Sequence, residues 1–174
     1  PDMEQALRQA NMPLYSLETK TPLSEFDIVG FSVGYEMGYT NVLTMLELGG
    51  IALNASARGE GMPLVVAGGG CTYSPEPLAE FFDLFMIGEG EEMLPELIEL
   101  YRTYRAQGVS KQELLKRAAG IGGVYVPSLY DVAYNADGTL KSMTPREGAP
   151  SSVQKRIVID FDSAYFPTQP IVPY

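Results

Sequence analysis

The sequence predicts an α/β domain built on a parallel sheet and followed by a β-hairpin. Three observations carry this. Short apolar runs at residues 28–33, 64–67 and 84–87 each lead into a glycine-containing loop, reading FDIVGFSVGYEMGYTN, PLVVAGGGCTYSPEP and FDLFMIGEGEEMLPEL, and continuous apolar runs suit strands covered on both faces. Amphipathic stretches with helical spacing lie between and after them. From Gly120 onward, GVYVPSLYDVAYNADGTLKSMTP alternates apolar and polar residues around Asp137-Gly138, a two-residue hairpin signal. In a parallel sheet the carboxyl ends of the strands share one edge, so the three glycine loops converge on one crevice where ligands bind.

Composition bounds the function. The 174 residues, 45% hydrophobic, suffice for one globular domain and an appendage. A formal charge of −10, from 12 Lys and Arg against 22 carboxylates, argues against a nucleic-acid surface, which needs clustered cations. No apolar stretch reaches the roughly 18 to 20 residues of a membrane span, and the chain reads as cytoplasmic. The single cysteine, Cys71, excludes an internal disulfide and a multi-cysteine metal site, and the absence of histidine removes the commonest general base and metal ligand.

The elements follow in order. The chain opens at Pro1 with a helix and no preceding strand, as a piece cut from a longer protein would. Asp2 caps this helix, whose apolar positions are Met3, Ala6, Leu7 and Ala10, and Asn11 with Pro13 ends it. Residues 28–33 form a central parallel strand. Thr40 or Asn41 caps a helix through Val42, Leu43, Leu46 and Leu48 that stops at Gly49-Gly50. Residues 51–57 are ambiguous, and ARGEGM is a surface loop. After the strand at 64–67, Gly68-Gly69-Gly70 permits backbone angles and close approaches that a side chain forbids. Pro75-Glu76-Pro77 opens a short helix through Phe82. A third strand at 84–87 leads to a long helix that begins at Glu91 or Glu92 and closes at Gly108, with its acidic start and basic end matched to the helix dipole. Ser110 with Glu113 makes a capping box for a further helix to Ala119. A strand at 156–161 and a proline-punctuated connector complete the chain. The elements add up to a three-layer Rossmann- or flavodoxin-like domain over residues 1–120, with hairpin and connector over 121–174.

The segments IVGFSVGYEMGYTNVL, LVVAGGGCTYSPEPLAEFFDLFMIGEGEE and GVYVPSLY together resemble the amino-terminal region of cobalamin-binding-domain radical S-adenosylmethionine (radical SAM) proteins, in a poorly characterised bacterial subgroup. The resemblance covers nearly the whole chain. It implies a cobalamin-binding-type α/β domain preceding a radical SAM barrel that carries a CxxxCxxC motif. No CxxxCxxC occurs in this sequence, so the [4Fe–4S] cluster and S-adenosylmethionine are expected in that further domain, and PTQPIVPY resembles the approach to it. The resemblance matches Ser32-Val33-Gly34, with Tyr35, to the serine loop, and Gly68-Gly69, with Gly70 and Cys71, to the glycine pair that lines the corrin and its tail. Gly88-Glu89-Gly90-Glu91 matches the GEGE segment. The DxHxxG motif that supplies a lower axial histidine elsewhere is absent from this sequence, so cobalamin would bind without a histidine from these residues. The implied partner is the protein's own barrel, and an exposed sheet edge could also pair two copies.

Each feature has a structural reading beside the functional one. The glycine run serves a tight turn or a ligand contact, since open α/β folds use glycine for both. Ser32 satisfies a local backbone group or touches a cofactor. Glu89 and Glu91 read as helix-start carboxylates rather than acid-base catalysts, and no catalytic residue is assigned. Cys71 is a loop or pocket residue. Tyr35, Met37, Tyr39 and Tyr73 form a rim over a corrin or pack against a neighbouring domain. Tyr101, Arg102, Tyr104 and Arg105 end a solvated helix. Two other functions fit the same fold: a scaffold without cofactor that caps the barrel or recruits substrate, and a flavin or nucleotide binder. The lack of GxGxxG and GxxxxGK[ST] weighs against the last.

Overall fold

Buried aliphatic runs make the sheet. The computed structural model describes residues 2–146, 148–165 and 168 and places β1 at Ile28–Ser32, β2 at Leu64–Gly68, β3 at Leu84–Met86 and β4 at Val124–Tyr125. They form one sheet in the order β1-β2-β3-β4, with β1, β2 and β3 parallel and β4 antiparallel to β3. A separate antiparallel hairpin joins β5, Tyr130–Tyr134, to β6, Leu140–Pro145. The protein is therefore α/β with a mixed, mainly parallel sheet and an appended hairpin. β1, expected at the centre, lies at the edge of the described sheet. β2 is the buried strand, with Val65 and Ala67 fully enclosed, whereas Gly30 and Ser32 of β1 are exposed.

The helices explain the direction of β4. α1, Asp2–Ala10, buries Leu7 and ends at Asn11, whose φ is +51°; Asp2 sits in its first turn instead of capping it. α2, Tyr39–Leu48, continues from a 3₁₀ turn at Glu36–Gly38 and has no side-chain cap, so it starts before the expected Thr40 or Asn41. α3, Gly90–Gln107, leaves the carboxyl edge of β3 and reaches the amino edge of β1, where Tyr101 Oη donates to Asp27 at 3.2 Å; Gly108, at φ +65°, closes it. α4, Lys111–Ala118, returns the chain to the carboxyl edge, where Ile87 N–H donates to Gly123 O at 2.8 Å. Two helical crossings bring the chain back to the edge it left, so β4 must run opposite to β3. Ser110 Oγ caps α4 by accepting from Glu113 N–H at 3.3 Å. The reciprocal half of the capping box is replaced by an ion pair between Glu113 and Arg117 at 3.2 Å.

Three further expectations change. Residues 75–82 hold a 3₁₀ turn at Glu76–Leu78 rather than a helix. The hairpin turn spans residues 135–139 rather than two, with a register shift at Ala133/Tyr134, and the Asp137 carboxylate accepts from Thr139 N–H at 3.0 Å. The strand expected at 156–161 reduces to one parallel bridge between Arg156 and Gly88. β3 has ended and α3 begins at Gly90, so no strand edge remains for residues 157–161 to pair with. Pro1, and the connector from Pro167 apart from residue 168, lie outside the described residues.

The loop ARGEGM is not simply a surface loop, because it delivers a buried cation. Arg58 is 3% exposed and Asp83, just before β3, is likewise buried. Asp83 Oδ2 accepts from Arg58 Nε at 3.1 Å and from Val65 N–H at 2.8 Å, and its Oδ1 lies 2.8 Å from Lys111 Nζ. The remaining Arg58 donors reach the carbonyls of Ala52, Leu53 and Phe81, each at 2.8 Å. This network ties the amino ends of β2 and β3 to the start of α4.

Tyr125 of β4 is 5% exposed and donates through Oη to Glu76 Oε1 at 2.6 Å. Burial, then the bond to Glu76, raise its phenol far above the ordinary value of 10.0. A folded-state value above the unfolded one gives a contribution that is complete below pH 10 and is lost as the pH rises. Unfolding free energy should therefore fall above pH 10 in the native protein. In Tyr125→Phe that fall should be smaller, with a loss of about 1.5–3 kcal/mol at neutral pH. Equal alkaline slopes in urea titrations would refute the assignment.

Candidate functional site

The parallel strands bring the three glycine loops to one edge, as expected. Ser32 pairs in register with Gly68. Just beyond, Val33 N–H donates to Gly68 O at 2.6 Å, and Cys71 N–H donates to Val33 O at 2.9 Å. A side chain at Gly69, whose φ is +102°, would place its Cβ 2.9 Å from the Val33 carbonyl. Gly69 therefore permits close approach between two loops of the protein itself. The Thr72 hydroxyl, fully buried, lies 2.7 Å from Gly69 O and 3.1 Å from Met86 O, pinning the glycine turn to β3.

The third loop is divided in function. Gly88 has φ +107°, and a Cβ there would meet the Arg156 backbone, 2.6 Å from its nitrogen. Arg156 N–H donates to Ile87 O at 2.9 Å, Glu89 N–H donates to Arg156 O at 3.1 Å, and Val158 N–H donates to the Glu89 carboxylate. The Arg156 guanidinium reaches Glu92 and Glu96 on α3, each at 2.7 Å. Residues 156–158 thus form a strap across the end of β3. Gly88 and Glu89 face the strap, whereas Gly90, like Gly68, would meet nothing within 4 Å if given a Cβ.

Between these loops lies a crevice of about 360 Å³, lined by Gly68, Gly69, Met86, Gly88, Gly90, Glu91, Leu94, Pro95 and Tyr165. Its volume falls within the roughly 300–1,000 Å³ of ligand sites. Of the residues singled out from the sequence, Gly68, Gly69, Gly88, Gly90 and Glu91 line it. Ser32, Val33, Gly34, Tyr35, Gly70, Cys71 and Glu89 do not: Val33 is core, Tyr35 projects into solvent, and Cys71 packs on the core edge. Neither Cys71 nor Tyr39 lines the crevice; burial, and after it the hydrogen bond to Cys71, push the Tyr39 phenol up.

Glu91 is the unusual member. Its Oε2 is shielded from solvent and has no hydrogen-bond partner among the described residues. Leaving a polar atom in this state costs about 1–3 kcal/mol. Four residues on, Pro95 has no N–H to offer the Glu91 carbonyl. The residues missed in the sequence were Met86, Leu94, Pro95 and Tyr165; Pro95, inside a helical pattern, was the one readable signal. Among the described residues, no group of three or more His, Cys, Asp or Glu is placed to hold a metal ion, and no helix is long and apolar enough to cross a membrane.

An α/β domain with a glycine-lined crevice at the carboxyl ends of parallel strands belongs to the class whose loops carry function on a rigid sheet. More particularly, residues 1–127 match the family described as radical SAM proteins, N-terminal, and the chain belongs to that family. It is similar to an uncharacterized protein of Methanocaldococcus jannaschii, 29% identical over 110 residues, covering 63% of this chain and 23% of the relative. The chain thus spans less than a quarter of that relative's length. No solved structure matches.

Proposed function

We propose that this chain is a Rossmann-like, cobalamin-binding accessory domain of a radical SAM enzyme, working beside a barrel that carries the [4Fe–4S] cluster and S-adenosylmethionine. The crevice carries the reading: Gly68 and Gly90 leave open space where a flat macrocycle needs approach without Cβ atoms, and Glu91 Oε2 is a buried acceptor without a donor among the described residues. A corrin is rimmed with carboxamides, so donors of the required kind are available from it. The open crevice would take one edge of so large a group, with Met86, Leu94 and Pro95 as its apolar wall. When bound, cobalamin supplies a cobalt that relays a methyl group or assists a radical rearrangement. This chain orients it without a histidine ligand. Tyr35, Met37 and Tyr73, exposed at 66%, 75% and 59%, form the rim on which the barrel would pack.

One observation favours the scaffold reading instead. Gly88 and Glu89, half of the GEGE segment, are engaged by the strap, so that part of the motif has a role without any cofactor. Titration of hydroxocobalamin into the intact protein separates the two. Corrin absorbance should saturate in the wild type and not in Gly68→Trp. Position 68 is chosen because a Cβ there meets nothing, whereas at Gly69 it strikes the Val33 backbone. Absence of binding to the wild type at millimolar corrin would sink the cofactor reading and leave the scaffold.

A further inference from the structure

We infer that Glu91 sets the ligand class of the crevice, accepting a hydrogen bond from a neutral carboxamide N–H at a corrin edge and rejecting ligands that would seat a phosphate against it, as cobalamin, whose phosphodiester lies in the tail away from the ring edge, would not. The inference rests on the cofactor reading above and deepens it. Three observations converge. The lining residues include one carboxylate and no lysine or arginine, so nothing on the wall compensates an anion. The field of the α3 amino terminus, which would otherwise attract phosphate, is already met by Glu91 and Glu92 in its first turn, with Glu89 just before it. Finally, Oε2 of Glu91 has no hydrogen-bond partner among the described residues, and Pro95 withholds the i+4 amide from the Glu91 backbone carbonyl. The side chain is part-buried and lines the crevice beside Gly68 and Gly90.

Glu89 does not line the crevice, and its carboxylate accepts from Val158 N–H and fixes the strap. The two carboxylates of the GEGE segment therefore divide: Glu89 positions the chain and Glu91 meets the ligand. The division also separates corrins from the flavin or nucleotide ligands that a strand-end glycine loop would otherwise suit. A corrin periphery offers uncharged N–H donors at its edge. FMN would bring its phosphate against Glu91 at the same place.

The test compares affinities of the intact wild-type, Glu91→Gln and Glu91→Leu proteins for dicyanocobinamide, a corrin without the nucleotide tail, and for FMN. Thermal unfolding is followed alongside to establish that each variant is folded. Leucine removes the acceptor and should weaken cobinamide binding about tenfold or more, the worth of one hydrogen bond to a charged acceptor. Glutamine keeps a carbonyl and should lose only about twofold to threefold of that affinity. Wild type should not bind FMN. Equal cobinamide affinity in wild type and Glu91→Leu would overturn this inference and leave the cofactor reading standing. FMN binding to the wild type tighter than cobinamide would also overturn it. Failure of the wild type to bind any corrin would instead overturn the cofactor reading, and the role of Glu91 with it.

Discussion

Asp83→Ala is expected to destabilise the protein by about 3–5 kcal/mol, the usual result of removing one partner from a buried ion pair. The carboxylate is the hub of the amino edge: Arg58 Nε, Val65 N–H and Lys111 Nζ all converge on it at 3.1, 2.8 and 2.8 Å. Without it, a guanidinium with a fully enclosed side chain stays at the amino edge of the sheet with only carbonyl partners. Domains are stable by only about 5–15 kcal/mol, so the loss is a large part of the whole. The urea midpoint should fall sharply while the slope is kept. Asp83→Asn, which retains an acceptor for Val65 N–H but loses the charge, should fall between. Replacing both partners, as in Arg58→Met with Asp83→Leu, should recover much of the loss, because it removes the stranded cation. An Asp83→Ala midpoint within error of wild type would mean that the network is not what holds the amino edge.

That network shows where sequence reading reached its limit. Local signals were legible: the buried run of β2, the Ser110 cap and the Gly108 terminator of α3 each depend on partners within one or two turns, and each sits where expected. Arg58 was not legible. Its partner Asp83 lies 25 residues away, and an arginine beside two glycines has the composition of a surface loop. The antiparallel direction of β4 had the same cause, since it follows from two helices crossing the sheet in succession, a fact of topology that no single segment carries. At the candidate site the loops were found because glycine after an apolar run is a local pattern. Which of those glycines face a ligand and which face the protein was hidden, because the strap that occupies Gly88 comes from residues about seventy positions later in the chain. The orphan oxygen of Glu91 was likewise invisible, although Pro95, which withholds a donor from the same residue, could have been read from MLPEL.

The glycines can be told apart by substitution. Gly88→Ala should be strongly destabilising, by about 3 kcal/mol or more, because two penalties coincide. Its φ of +107° is strained for any residue with a Cβ, costing about 1–3 kcal/mol. The added methyl would also occupy the Arg156 backbone, 2.6 Å from its nitrogen, with the Arg156 carbonyl oxygen nearer still. The strap has no room to yield, since Arg156 is bonded on one side to Ile87 O and on the other to Glu89 N–H, and its guanidinium is tied to Glu92 and Glu96. The variant should therefore either unfold early or release residues 156–158, exposing the amides of Glu89, Arg156 and Val158 to hydrogen exchange. Gly68→Ala is the matched control. Its backbone conformation is ordinary for an L-residue, a Cβ there meets nothing, and the reduced freedom of the unfolded chain should leave stability unchanged or raised by up to about 1 kcal/mol. Hydrogen exchange with mass spectrometry on the two variants decides the matter. Gly88→Ala with protection at 156–158 equal to that of Gly68→Ala would show that the strap does not depend on the close approach, and that Gly88 is as free to meet a ligand as its neighbour Gly90.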